Sequence, residues 1–358
     1  MRCAQTGFSL VEMMVGITLG LLSTLVVMQT LTASEGQKRT TASGSNAQSN
    51  GALALYMIKR DAKMAGYGFA ATTGALGCEM KMMIDGSSTP ASLTLNPVTI
   101  TNGVNGAPDQ LRFLGSAKDA WSLPMKITVD HPVSAAQFFV DSDLGVHQGD
   151  LMVAVPALPS AGKWCTLFQA TKEAASGSGG GGGQGQNQVQ HNPSAIWNPP
   201  GGNNGDLYPA GGYSKDDHLI NLGTLVNKVY VINNQTLQLT SFNSSDGSSA
   251  TADLYPQIID LQAQYGSDDG SNGGTADDGV IDGYGTTTPS NSTGWKRVLA
   301  LRVAVLSRST QWEKEEATPA APKWSGGDFV MGTGSDWKHY RYKAYESVAP
   351  LRNVIWQQ

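Results

Sequence analysis

An α+β fold, with one long N-terminal helix packed on an antiparallel β-rich globular domain, is what this 358-residue sequence predicts. Three observations carry the prediction. An apolar run from Phe8 to Met28 holds Glu12 as its only ionisable side chain. Behind it Leu55, Ile58, Ala62 and Ala65 recur at i, i+3, i+7 and i+10, the stripe of a helix with one buried face. After Gly68 the pattern changes to short extended runs between turns, in a chain with 43 glycines and many Ser, Thr and Asn residues.

The apolar run comes first. Its 21 residues, at about 1.5 Å rise each, span roughly 32 Å, the thickness of a bilayer core. A secretory signal places its small-residue cleavage site after the apolar stretch; here the small residue, Gly7, precedes it. A cut at the Gly7-Phe8 junction therefore leaves the helix on the mature chain as an anchor. Glu12 inside that run costs on the order of 3 kcal/mol or more and marks a partner. Cleavage supplies one: a new α-amino group on Phe8, one helical turn from the carboxylate. The bland alternative places Glu12 at the headgroup boundary, where it snorkels. Gly16 and Gly20 form a GxxxG, which lets helices approach closely, although the pattern is also frequent by chance in apolar segments.

Beyond the span, the Ser-, Thr- and Gly-rich stretch 32–50 predicts weaker helicity, with Gly36, Gly44 and Gly51 each costing about 1 kcal/mol relative to alanine. Gly66 and Gly68 end the helix. The chain thus divides into a leader (1–7), a helix (8–65, transmembrane over 8–28) and a β-rich globular domain (66–358). In that domain Gln110 to Gly115, Met125 to Asp130, Gln137 to Asp141, Asp150 to Val155 and Trp164 to Ala170 read as strands. Leu225 to Leu239 reads as a hairpin turning at Asn233-Asn234. Ile258 to Tyr265 and Val298 to Leu306 are further strands, the second apolar enough to be central. The tract 176–188 is low-complexity, and with the Pro-, Gly- and Asn-rich residues up to 213 it predicts a long irregular insertion.

At its start, Gly7-Phe8-Ser9-Leu10-Val11-Glu12 followed by an apolar run resembles the type IV prepilin (class III) signal. The resemblance implies cleavage after Gly7 by a prepilin peptidase, N-methylation of Phe8, and pairing of Glu12 with the N-terminal amine of a neighbouring subunit. At the other end, His339 to Trp356 alternates polar and aromatic residues and closes on Leu351-Arg352-Asn353 and Trp356, which resembles PilW-type minor pilins. That second resemblance implies a type IV pilin-like fold whose helix enters a fibre core. It also implies a place in the priming of pilus assembly, and partners among other minor and major pilins and a PilY-type tip adhesin. The subunit proposed for the extreme tip in that family tends to lack the glutamate, so Glu12 implies a subunit that docks beneath others. The inner membrane would hold the unassembled protein.

Cysteine usage bears on the compartment. Cys3 precedes the Gly7-Phe8 junction, so a processed chain keeps Cys78 and Cys165, which fits one disulfide in an oxidising compartment. Two unrelated buried thiols are the alternative.

Other chemistry is thin. The loop from Gly266 to Tyr284 crowds Asp268, Asp269, Asn272, Asp277, Asp278 and Asp282 among glycines, a donor set suited to Ca²⁺. It lacks EF-hand spacing, and a mobile acidic turn is the competing reading. Five histidines (His131, His147, His191, His218 and His339) show no paired-ligand spacing and read as surface or satisfied loop residues. Some of the eight tryptophans could form a partner surface, with core packing the default reading. No G-x-S-x-G elbow or Cys-His pairing supports an enzyme. A net charge of −5 gives no basic field for nucleic acid. Two other classes compete with the pilin: a type II secretion pseudopilin, and a single-span periplasmic protein responsive to Ca²⁺.

Overall fold

The computed structural model describes residues 7, 9–84, 87, 89–118, 123–173, 187–193, 195–198 and 206–355, and in it one helix, Leu10–Met64, organises the chain. Its first half leads away from the domain: every large apolar side chain from Leu10 to Leu31 is at least half exposed. Its second half is docked along a stripe of Ala47, Gly51, Ala54, Ile58, Asp61 and Ala62, all buried. The expected stripe at Ile58, Ala62 and Ala65 is therefore present, with Leu55 packed at its margin. It extends further toward the N-terminus through the small residues Ala47, Gly51 and Ala54.

The helix stays unbroken across 32–50, where local propensity is weak, and its contacts supply a reason. Ser43 Oγ accepts from Thr310 N at 2.8 Å, Ser43 O accepts from Gln257 at 3.3 Å, and Asn50 Nδ2 donates to Pro256 O at 3.1 Å. Two of the polar residues that lower propensity, Ser43 and Asn50, thus bond to the β domain. Gly51 has a steric role as well: a Cβ there would lie 2.6 Å from the Tyr345 ring and 3.1 Å from Ser307 Oγ. The local helix cost of that glycine is offset by close approach of helix and sheet.

Gly66 and Gly68 follow the helix with φ of 79° and 87°, as expected of residues that turn the chain out of a helix. The last carbonyls find a partner from the far end of the chain, since Asn353 Nδ2 donates to Met64 O at 3.2 Å and to Ala65 O at 3.0 Å.

Among the described residues the strands form three larger sheets and two two-stranded ones. Val298–Arg308 is central in a four-stranded sheet, flanked antiparallel by Ile258–Ser267 and Tyr342–Pro350, with Gly283–Gly285 at one edge. Leu301, Val303, Val305 and Ser307 turn toward the helix, and Ala304 and Leu306 turn away to pack on Phe329. A five-stranded sheet runs Ser249–Pro256, Thr236–Phe242, Leu225–Asn233, Gln110–Ser116 and Val98–Thr101. The predicted hairpin is here, but its turn is Asn234-Gln235, at φ of 47° and 59°, with Asn233 paired to Thr236. A two-residue turn of this kind needs positive φ at both central positions, which moves it one residue past the expected Asn233-Asn234.

Gln110–Ser116 and Leu225–Asn233 are sheet neighbours, so residues 117–224 leave and return between paired strands. That excursion supplies most of a six-stranded sheet and a second core around Phe138, Phe168, Tyr208 and Tyr213. Two expectations change here. The Met125 to Asp130 strand shortens to Met125–Lys126, followed by an isolated bridge from Ile127 to Val140. The segment 176–213 is not irregular throughout: Asn187–Gln190 pairs with Gln137–Val140, and Trp197, Leu207, Tyr208 and Tyr213 are core residues. A low-complexity composition masked a few well-placed aromatics. The glycine-rich residues 174–186, together with Trp121 and Trp356, lie outside the described residues.

One polar cluster joins the helix to the five-stranded sheet. Buried Asp61 accepts from Tyr230 OH at 2.6 Å and from Lys228 Nζ at 3.0 Å. Burial and the adjacent carboxylate push the Tyr230 hydroxyl pKa up, so it stays a donor. Asp61→Ala leaves a hydroxyl and a largely enclosed ammonium without an acceptor, and we expect a loss of about 3 kcal/mol. Asp61→Asn, which keeps an acceptor for Tyr230, should lose less. Chemical unfolding of the two variants checks this, and a loss under about 0.5 kcal/mol for alanine would mean that the cluster does not stabilise the fold.

Candidate functional site

The N-terminal end of the helix is built as a cap. Ser9, in extended conformation, precedes the first turn, and its N–H donates to Glu12 Oε2 at 3.0 Å, while Met13 N donates to Ser9 O at 3.1 Å. The Glu12 carboxylate thus folds back toward the chain end, one residue from the nitrogen that a cut after Gly7 would free. Phe8 lies outside the described residues, and Gly7 is exposed. Negative charge in the first turn also suits the positive end of the helix dipole.

The rest of the exposed half is suited to lipid. The helix contains a stretch apolar and long enough to cross a membrane, none of it buried against the domain. Its hydroxyls are satisfied within the helix: Thr18 donates to Val15 O at 2.9 Å, Ser23 to Leu19 O at 2.8 Å and Thr24 to Leu21 O at 2.9 Å. None of these three hydroxyls needs water. Gly16 and Gly20 face open space, with nothing within 4 Å of where a Cβ would sit.

Cys78 and Cys165 form a disulfide, both side chains buried. Cys78 immediately precedes Glu79–Met82, which runs parallel to Cys165–Gln169, so the bridge ties a connection below the helix to the inserted six-stranded sheet.

The acidic loop is spread over separate local bonds. Asp282 Oδ2 accepts from Gly270 N at 2.7 Å, Asp268 Oδ2 from Gly279 N at 2.6 Å and Asp278 from Val280 N at 2.9 Å. Asp269 accepts from Ser271 N at 3.1 Å, and Asn272 donates to Asp282 O at 3.0 Å. Asp277 takes Arg297 bidentate, at 2.9 and 2.8 Å, and that guanidinium is the first cause of its lowered pKa. Among the described residues no three His, Cys, Asp or Glu side chains gather as a metal-ligand group.

Sequence reasoning missed one constellation. His131 and His191, 60 residues apart, face each other with Nε2 to Nε2 at 2.9 Å, and Tyr208 OH lies 3.3 Å from His191 Nδ1. Both rings are buried, and His131 stacks on Phe138 at 3.6 Å between centroids. Desolvation pushes His131 down to about 4; desolvation and then His131 itself push His191 down to about 3. At neutral pH the pair is uncharged, one imidazole donating to the other. Scattered histidine spacing gave no signal because the two meet through tertiary contacts, His131 bridged to Tyr213 and His191 N donating to Ala136 O beside the paired Gln137–Val140 and Asn187–Gln190 strands.

A long N-terminal helix with one apolar, undocked half and one half held on an antiparallel-rich β domain is an α+β arrangement consistent with a pilin-like fold. Residues 226–353 match the model of the family described as Type IV Pilus-assembly protein W, which supports a type IV pilus-related protein. The match runs from the Leu225–Asn233 strand to Asn353, so it covers the central sheet and the residue that caps the helix, and not the helix itself. No curated protein and no solved structure matches the chain.

Proposed function

We propose that the chain is a minor pilin that takes part in type IV pilus assembly, within a priming complex near the fibre tip, after a prepilin peptidase cuts between Gly7 and Phe8 and methylates Phe8. The observation that carries the reading is the division of the helix into a docked half and an exposed apolar half that ends in Glu12. Before assembly the apolar half anchors the protein in the inner membrane, with the β domain in the periplasm. On assembly it passes among the helices of other minor and major pilins, with Gly16 and Gly20 open to close approach, and Glu12 pairs with a neighbour's amine. A PilY-type tip adhesin is a further partner. A type II secretion pseudopilin shares this chemistry, and the family match over 226–353 favours the pilus.

The test is mass spectrometry of the N-terminal peptide from membrane and sheared-fibre fractions, with Glu12→Ala alongside. We expect a chain beginning at N-methylated Phe8 in both fractions, and the alanine variant processed but confined to the membrane. An uncut N-terminus in cells with active peptidase would sink the reading, and so would a Glu12→Ala chain that reaches the fibre at normal yield.

A further inference from the structure

The face of the central sheet turned away from the helix carries a groove of about 660 Å³, within the range of small-ligand clefts. Trp337, Tyr340 and Tyr342 line it, all half-buried. Among these rings sit polar groups of both signs. Arg308 lies over the Tyr340 ring at 4.3 Å and donates from Nη2 to Gln235 Oε1 at 2.5 Å, which fixes its guanidinium. Asp260 accepts from Leu261 N at 2.7 Å and Gln262 Nε2 at 2.9 Å, both on Oδ1, so Oδ2 has no donor among the described residues. Asp336 stands at the rim.

This combination selects by elimination. Two carboxylates against one guanidinium leave the lining net negative, which disfavours a phosphate or other polyanion. A purely apolar ligand would desolvate Arg308 and Asp260 without replacing their hydrogen bonds. A proline-rich peptide brings carbonyl acceptors for Arg308 but no N–H at its prolines for Asp260. A hydroxyl both donates and accepts, so it can serve Asp260 and Arg308 at once, and the C–H face of a pyranose lies flat on an aromatic ring. We propose that this groove is a binding site for a neutral oligosaccharide, with Trp337 and Tyr342 as stacking platforms and Asp260, Arg308 and Gln235 as hydroxyl partners. The groove lies within the family-matched region except at its 104–108 rim, and binding there requires no assembly, so the inference goes beyond the pilus reading and does not fall with it.

The experiment is saturation-transfer NMR on the full chain in phospholipid nanodiscs, free of sugar detergents. The probes are cellotetraose, maltotetraose and chitotetraose, with a proline-rich decapeptide as control. We expect transfer to the ring protons of at least one tetrasaccharide, and apparent affinity weakened about tenfold in Trp337→Ala and in Asp260→Asn. Trp337→Phe, which keeps a ring, stays within about threefold and serves if the alanine variant does not fold. Trp312→Ala, whose ring stacks on His339 outside the groove, leaves transfer unchanged. No transfer to any tetrasaccharide at millimolar concentration overturns the proposal. Apparent affinity unchanged in both Trp337→Ala and Asp260→Asn does so too, as does transfer to the decapeptide alone.

Discussion

Replacing Cys78 and Cys165 together by alanine is expected to lower the unfolding free energy of the domain by about 4 kcal/mol. The bridge joins residues 87 apart, and in the chain-entropy model a loop of that length restricts the unfolded ensemble by about 4 to 5 kcal/mol. Both sulfurs are buried, so the variant also loses packing around the connection that follows the helix. Two curves check the prediction. Chemical unfolding of the double variant should show a lower midpoint than the oxidised parent. The parent in excess reductant should fall close to the variant's midpoint, because the covalent link is the larger difference. A loss below about 1 kcal/mol would mean that the unfolded chain is already restricted near these residues. Such a bridge persists in an oxidising compartment.

Acidification is the second large effect. His131 and His191 have folded-state pKa values pushed below the ordinary 6.5, to about 4 and about 3, chiefly by burial. The unfolded chain therefore binds more protons than the folded one once pH drops below 6.5, and stability falls from there until the folded pair itself protonates. With both folded values below 5, each ring contributes at most about 2 kcal/mol of loss by pH 5. Asp260 acts in the opposite direction: burial raises it to about 6, so it gains stability as pH falls from 6 toward 3.8, and the net slope is shallower. Substituting both histidines by leucine isolates their share. Unfolding midpoints measured between pH 7.5 and 4.5 should decline more steeply in the parent than in the double variant. Parallel declines would assign acid sensitivity elsewhere.

The helix and most strands were legible because their signals are local. Phe8 to Met28 is apolar at bilayer length, and Val298–Arg308 is apolar over nearly its whole course, so its central place could be anticipated. What escaped was set by tertiary contact. Gly51 looked like a helix weakness, and only the Tyr345 ring opposite explains it. Trp197 and Tyr208 sat in a stretch whose composition argued for a loop, and their burial comes from cores that no periodicity announces. Among the candidate residues Glu12 stood out in the sequence because it is the one carboxylate in an apolar run. The groove and the histidine pair did not, because their residues come together from separate strands and loops.

The seam between helix and sheet also decides how the protein bears a mechanical load. The small residues from Ala47 to Ala62 are distributed along about 22 Å of helix, and Asn353 grips the last carbonyls beyond them. A pull on the apolar end is directed along this seam, so its contacts are strained in shear and share the force. They do not open one after another, as they would under a sideways peel. The narrow approach at Gly51 resists sliding, since moving the helix by a turn would drive a larger side chain against Tyr345. A tether built this way yields late and all at once.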